Sequence, residues 1–256
     1  LDFGIPIISI GNLTLGGSGK TPLGISILNE FEGGCVVLRG YGRASKGLVK
    51  VAISGEILVG VTVSGDEAME YAKSVKNANV IVSENRDIAI NEAKKMGAKY
   101  VLLDDGFGKF HIKKFNVLIH PSAKPYFDFV LPSGAYRYPS KFYAKADHVV
   151  KEGEDFTRES EIINQTTKMV LVTAIANPQR LEPYFGLCIG REIYPDHYAF
   201  SRDELAKILA RYGATSLLVT RKDAVKMEEF GLPLSVIALK TTLADKFKRI
   251  IKEKIL

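Results

Sequence analysis

The chain has 256 residues, 46% hydrophobic and 25% charged, a balance that suits one large α/β domain with a smaller appendage and excludes a disordered or fibrous chain. Lysine and arginine number 35 against 29 aspartates and glutamates, a net charge of +6. That excess favours an anionic ligand or an anionic membrane face. The aromatics are not interleaved with basic residues as in RNA-binding sheets, so no nucleic-acid partner is expected.

No run approaches about 18 apolar residues, so no membrane-spanning helix is expected, and no secretory leader is visible. The sequence starts at Leu1 rather than Met, and a further N-terminal segment is expected ahead of it. Cys35 and Cys188 each lie in an apolar stretch. They make no metal-ligand spacing with the four histidines and read as buried reduced thiols.

In chain order, short β-branched runs bounded by Gly or Asp predict strands at Ile5–Ile10, Cys35–Leu38, Val80–Val82, Tyr100–Leu103, Asn116–His120 and His148–Val150. Lys50–Val63 reads as extended, with a turn at Gly55-Glu56. Helices are expected between them at Pro22–Phe31, Glu67–Ser74 and Asp87–Met96. Strands alternating with helices imply βαβ units, hence a mostly parallel sheet with helices on both faces over residues 1–150. The charged stretch 151–168 reads as a linker to a smaller C-terminal α/β lobe, 169–256. In that lobe strands are expected at Met169–Thr173, Ser216–Thr220 and Ser235–Leu239. Helices are expected near Pro178–Phe185, at Arg202–Tyr212 behind the capping box Ser201…Glu204, near Asp223–Glu229, and at Leu243–Lys254.

The chemistry concentrates at residues 5–21, IPIISIGNLTLGGSGKT. An apolar strand runs into a Gly-rich loop and then a helix. Small residues let successive N–H groups face an anion, and the helix N-terminus adds its dipole. Thr14, Gly16, Gly17, Ser18, Gly19, Lys20 and Thr21 are therefore the expected ATP-binding residues. Lys20 would reach the β- and γ-phosphates, and the Thr21 hydroxyl would sit on Mg2+. Thr14 stands where the usual G-x-x-x-x-G-K-[ST] pattern has its first glycine. Downstream, Tyr100-Val-Leu-Leu103 ends in Asp104-Asp105-Gly106, an apolar strand delivering a carboxylate to the metal. Asp105 is the first choice for that role and Asp104 the second. The loop and the carboxylate together predict a P-loop NTPase-like phosphotransferase.

On the acceptor side three segments remain open. Ser64-Gly-Asp66-Glu67 precedes a helix, and its chemistry alone favours an N-terminal cap over a catalytic role. Pro195-Asp-His197-Tyr198 is a turn. Arg39-Gly-Tyr-Gly-Arg43 follows a strand at the edge where open α/β sheets bind ligands, which makes Arg39 and Arg43 candidate substrate contacts.

These pieces, in this order, resemble the tetraacyldisaccharide 4′-kinase family of lipid A biosynthesis. The matching segments are SIGNLTLGGSGKTP (9–22), LRGYGR (38–43), SGDEAM (64–69), SENR (83–86), LLDDGF (102–107), LPSGAYRYP (131–139), ANPQR (176–180), PDHYAF (195–200) and TRKDAVKM (220–227). Thr14 is itself in keeping with the family. The resemblance implies a kinase that moves the γ-phosphate of ATP, with magnesium, to the 4′-hydroxyl of a tetraacyl-disaccharide 1-phosphate. It implies an anionic glycolipid substrate and a peripheral place on the cytoplasmic face of the inner membrane. No obligate protein partner is implied.

It also carries roles onto matched positions. Asp66 looks like the catalytic base and His197 like its pairing histidine, brought together as the lobes close over ATP. Glu67, Arg86 and Asp105 match other active-site positions, Glu67 and Arg86 on the substrate side. The chain departs from the pattern in reading DDGFGKFH for the usual DDGFQH, with Gly108-Lys109 in place of Gln-His, and Tyr138 for the glutamate of L-R-E-P. The family's N-terminal membrane-associated helix has no counterpart in these residues. The departures keep two alternatives in view: a diverged kinase for another anionic glycolipid or sugar, and a non-catalytic nucleotide-binding homologue. A nucleotide-hydrolysing switch would need an N-K-x-D motif, which the sequence lacks.

Overall fold

Apolar runs too short for helices and buried on both sides settle as the inner strands of a parallel sheet. In the computed structural model, which describes residues 1–15, 17–121, 125 and 127–256, β1 (Ile7–Gly11) and β2 (Gly34–Leu38) are buried at every position. Between them runs helix α1 (Lys20–Glu30). The chain continues through the hairpin β3 (Val49–Ile53) and β4 (Glu56–Ile57), a helical turn α2 (Val61–Ser64), helix α3 (Asp66–Ser74), strand β5 (Asn79–Val82) and helix α4 (Arg86–Lys95). Strands β6 (Tyr100–Asp104), β7 (Phe115–Ile119) and β8 (His148–Val150) complete the sheet. Its order is β4-β3-β5-β2-β6-β1-β7-β8. Only β3 runs antiparallel to its neighbours β4 and β5.

The period-two alternation of β6 sorts its side chains between the faces. Val101 and Leu103 pack with Ala89, Ile90 and Ala93 of α4. On the other face Tyr100 donates its hydroxyl to the Phe31 carbonyl at the end of α1, at 2.7 Å. Asp104, two residues beyond Leu102, therefore points to the side where α1 begins.

The second sheet has the order β11-β10-β12-β13-β9. It is built from β9 (Phe156–Ile163), β10 (Met169–Thr173), β11 (Cys188–Ile193), β12 (Ser216–Thr220) and β13 (Leu234–Leu243). Helix α5 (Arg202–Tyr212) starts on the Ser201 cap, whose hydroxyl accepts from the Glu204 N–H, and stops at Gly213 in the left-handed region. Helices α6 (Arg221–Met227) and α7 (Asp245–Ile255) follow. The compact units are Leu1–Arg158 with Thr241–Leu256, and Glu159–Lys240.

The elements differ from expectation in a few places. Residues 156–163 of the charged stretch form strand β9, and only Phe156 of it is buried. Val61–Ser64 is a turn of helix rather than the end of an extended run. Pro178–Leu187 is a 3-10 helix, because Pro183 inside it cannot donate to an α-helical ladder. Cys188, expected to be buried, is only half-buried at the start of an edge strand, whereas Cys35 is buried. Helix α7 belongs to the first unit, not to the C-terminal lobe. Phe247 and Ile251 are fully buried, and Phe247 stacks on His148.

Helices α1 and α3 approach closely at Gly24, where an added Cβ would lie 2.1 Å from the buried Tyr71 hydroxyl. Gly24→Ala is expected to destabilise the protein by about 1–3 kcal/mol through overpacking, despite alanine's better helix propensity. Urea midpoints measure it. The loss should shrink in the Gly24→Ala/Tyr71→Phe double variant, since the two sites share one contact.

Candidate active site

The loop after β1 is pinned before it reaches its glycines. The Asn12 side chain is buried and donates to the Thr14 carbonyl at 2.6 Å. Thr14 is also buried and bridges Tyr136. Leu15 N–H donates to Ala135 O and Arg137 N–H to Leu13 O, each at 2.7 Å. Thr14 is thus held in a short antiparallel pairing that needs no glycine, which accounts for the broken pattern. Gly16 lies outside the described residues. Gly17 is exposed and Ser18 half-buried, with the Ser18 hydroxyl a buried group lacking a partner. Gly19 caps α1 at φ 81° with no side-chain cap, so the first N–H groups of the helix remain for an anion.

Lys20 is oriented from two sides. Its Nζ donates to Asn12 Oδ1 at 2.9 Å and lies 3.4 Å from Asp105 Oδ1. Thr21, one position on, aims its hydroxyl at Asp104 Oδ2 across 3.5 Å. Asp104 is 4% exposed, and its Oδ1 has no partner. Burial, then the nearby charge of Glu67, pushes its carboxyl up to about 7, against the pull of Lys20. An orphaned, buried oxygen beside a threonine hydroxyl suits a hard cation such as Mg2+. Among the described residues no cluster of three His, Cys, Asp or Glu could hold a metal alone.

The predicted residues divide by environment. Asp105 leaves the strand in the left-handed region, φ 54°, and accepts from Arg137 at 2.9 Å. Burial acts to raise its carboxyl, but Lys20 and Arg137 outweigh it and hold it below the usual range. Arg86 is buried and donates to Ser83 O at 2.7 Å and Asp104 O at 3.3 Å, bracing the end of β6. Burial lowers its guanidinium to about 10. The Arg43 guanidinium is consumed by Glu84, Gly47 O and Ser45, so it shapes its own loop. Arg39 is exposed.

Asp66 and Glu67 are half-buried in the first turn of α3. The preceding Gly65, at φ 84° and ψ 158°, adopts a conformation essentially reserved for glycine. In the second unit His197 has φ 62° and lies among Asp196 and Lys222.

Three further residues belong to this inventory. Arg137 pairs Asp105, as above. Arg158 donates to Ser18 O at 3.3 Å, lies against Gly19, and is held by Glu152 at 3.5 Å and the face of Phe156. Lys222 sits beside His197. None carries a local sequence signal; Arg137 and Lys222 fall inside the quoted segments LPSGAYRYP and TRKDAVKM, and Arg158 lies in a charged run. The two departures from the family pattern touch one another: a Cβ on Gly108 would lie 2.3 Å from the Tyr138 hydroxyl. Tyr138 also packs edge-on to Phe107 and Phe110.

Known proteins share this arrangement. The family model described as Tetraacyldisaccharide-1-P 4′-kinase matches residues 1–182 and 155–256. The tetraacyldisaccharide 4′-kinase of Aliarcobacter butzleri is 49% identical, covering 91% of this chain and 76% of its own length. That of Helicobacter pylori is 48% identical, covering 96% and 78%. A crystal structure of LpxK from Aquifex aeolicus in complex with ATP superposes with a TM-score of 0.80 at 25% identity, over 100% of this chain and 90% of that one.

The buried carboxylate makes stability depend on pH. Asp104 has a folded-state pKa raised above the ordinary carboxyl value of 3.8. Its contribution is therefore fully present below that value and is lost as pH rises through about 7. Urea midpoints of the metal-free, nucleotide-free protein should accordingly fall between about pH 4 and 7 more steeply than those of Asp104→Asn, and run parallel above that range. Parallel curves for the two proteins would contradict the burial effect.

Proposed function

The chain belongs to the tetraacyldisaccharide 4′-kinase family, and on that premise we propose how its own residues carry out the reaction. The reaction is ATP-dependent transfer of a phosphoryl group to the 4′-hydroxyl of a lipid A precursor, the tetraacyldisaccharide 1-phosphate. The observation that carries the assignment of roles is the buried, partnerless Asp104 Oδ1 beneath the Lys20-Thr21 start of α1.

The backbone N–H groups of Gly17–Thr21 cradle the triphosphate, with Thr14 holding the loop's first arm in place. Lys20 faces the β- and γ-phosphates, steered by Asn12 and Asp105. Thr21 and Asp104 would hold Mg2+, with Asp104 now ahead of Asp105 because strand alternation turns Asp104 toward α1. Magnesium there would neutralise charge on the phosphate oxygens during transfer. Asp105 instead ties Lys20 to Arg137 and fixes the ammonium's position.

Asp66 accepts the proton of the attacking hydroxyl. It stands in the first turn of α3, behind Gly65. His197 is the imidazole paired with that base. Glu67 supports the metal side through its charge near Asp104. Arg39, exposed at the end of β2, meets the anionic acceptor, while Arg43 and Arg86 act from within by holding its loop and the end of β6.

The acceptor is an anionic glycolipid, so the enzyme works peripherally at the cytoplasmic membrane face, with no protein partner required. Two observations support this. The net charge is +6. Large apolar side chains are exposed at Leu15, Phe127, Phe129 and Leu131, close in sequence to the segments pinned onto the loop. No helix among the described residues is long and apolar enough to cross a membrane.

The test is incubation with ATP, magnesium and the tetraacyldisaccharide 1-phosphate, followed by mass analysis of the lipid. One added phosphate is expected. Asp66→Ala should lower kcat by about 100- to 10,000-fold with little change in nucleotide affinity. Unchanged turnover in that variant would remove Asp66 from the role of base. A lipid whose mass never changes, with ATP bound, would favour another acceptor.

A further inference from the structure

A separate cluster in the second unit joins an ammonium, a carboxylate and an imidazole. Lys222 Nζ lies 3.1 Å from Asp196 Oδ1 and 3.4 Å from His197 Nε2. Asp196 Oδ2 lies 3.5 Å from the same ring nitrogen. The side chains of Lys222 and His197 are 19% and 17% exposed, so water screens the contact only in part.

Both sides of this contact are fastened to one buried network. Lys222 stands in the first turn of α6, whose cap Thr220 accepts from the Asp223 N–H at 3.2 Å. Asp223 is fully buried and accepts from the Thr173 and Thr220 hydroxyls, each at 2.8 Å, and from Ala174 N–H at 3.1 Å. Lys226, buried 3.2 Å from Asp223, donates to the Tyr198 carbonyl next to His197. His197 N–H in turn donates to the Ala174 carbonyl at 3.3 Å. The left-handed backbone of His197 is thereby held, and its ring is offered to Lys222 at a fixed place.

Nε2 meets two neighbours with opposite demands. An ammonium can only donate, so it asks Nε2 to accept. A carboxylate can only accept, so it asks Nε2 to carry the proton. The Asp196 carboxylate is already engaged by Lys222 and by the His197 N–H, at 3.1 Å each. Its pull on the ring is weakened accordingly, and a proton on Nε2 would point at the ammonium. We propose that Lys222 sets the tautomer of His197, keeping Nε2 as the acceptor and placing the ring proton on Nδ1. An imidazole in that form donates from Nδ1, which is the capability needed to pair with a carboxylate base. Lys222 is thus a positioning residue acting through His197, and its effect on turnover rests on the role proposed for His197 above.

The test uses the full chain labelled with 15N. The nitrogen shifts of its histidine rings report which nitrogen is protonated, with His197→Gln to assign the signal. In the parent protein His197 should show an acceptor-type Nε2 and a protonated Nδ1. Lys222→Met leaves Asp196 as the neighbour of Nε2 and should move the proton there, whereas Lys222→Arg keeps a donor and should keep the parent tautomer. Turnover should fall about 10- to 100-fold in Lys222→Met at unchanged ATP affinity and recover in Lys222→Arg. A parent protein already protonated at Nε2, or a Lys222→Met variant that keeps the parent tautomer, would overturn the inference. A moved proton with undiminished turnover would uphold the control by Lys222 and instead remove His197 from the reaction. Should Lys222→Met lose its dispersed spectrum, Lys222→Leu reads the same tautomer.

Discussion

A carboxylate buried at the end of a strand is expensive, and much of the first unit is arranged around that cost. Asp104 lies under the start of α1 with Glu67 and Asp105 close enough to oppose its ionisation. Lys20 is the chief nearby charge in its favour. Arg86 braces the Asp104 carbonyl rather than its carboxylate, and the carboxylate's neutral neighbour is the buried Tyr71 hydroxyl, with Oδ1 making no well-formed hydrogen bond. A site with that imbalance is suited to a cation, because an ion would supply the compensation that the protein withholds. The same imbalance explains why Thr21 and the glycine-capped helix start lie directly above it.

Backbone strain marks the same places. Asp105 and His197 are non-glycine residues in the left-handed region, and Gly19 and Gly65 lead into α1 and α3 with positive φ. Each is over-determined by its surroundings. Asp105 is clamped by Arg137 and Lys20, and His197 by the Asp223–Lys226 network. Gly65 is packed so that an added Cβ would lie 3.0 Å from the Tyr41 carbonyl. Strain of this kind persists only where neighbouring contacts enforce it, and here it re-aims side chains at the ends of strands and the starts of helices.

The strands of the first sheet were legible because buried parallel strands read as unbroken apolar runs, whose local pattern and tertiary role agree. The missed strands are of another kind. Thr157–Ile163 of β9 is nowhere buried, and β11 alternates half-buried and exposed residues. Both are edge strands, which need little apolar surface and tolerate charge, so composition disguised β9 as linker and left β11 without bounds. Asp105, the first choice for the metal-proximal group in the sequence, leaves the strand at φ 54° and pairs with Lys20 and Arg137. Tyr100, Leu102 and Asp104 share the face of α1, and that much was available in the sequence. Arg137, Arg158 and Lys222 were not, since a single basic residue has no periodicity to announce its partner.

The sequence by itself determined the class of the fold, the place of the phosphate loop, the carboxylate pair at the end of β6 and the family, because each is written in contiguous residues whose spacing maps directly onto backbone geometry. Only the tertiary structure decided that Asp105 is tied to Lys20 and Arg137, that Arg43 and Arg86 are spent on backbone and loop contacts, and that Lys222 stands beside the Nε2 of His197. Those outcomes depend on contacts between residues tens of positions apart, where burial and charge balance rather than local propensity choose the partner.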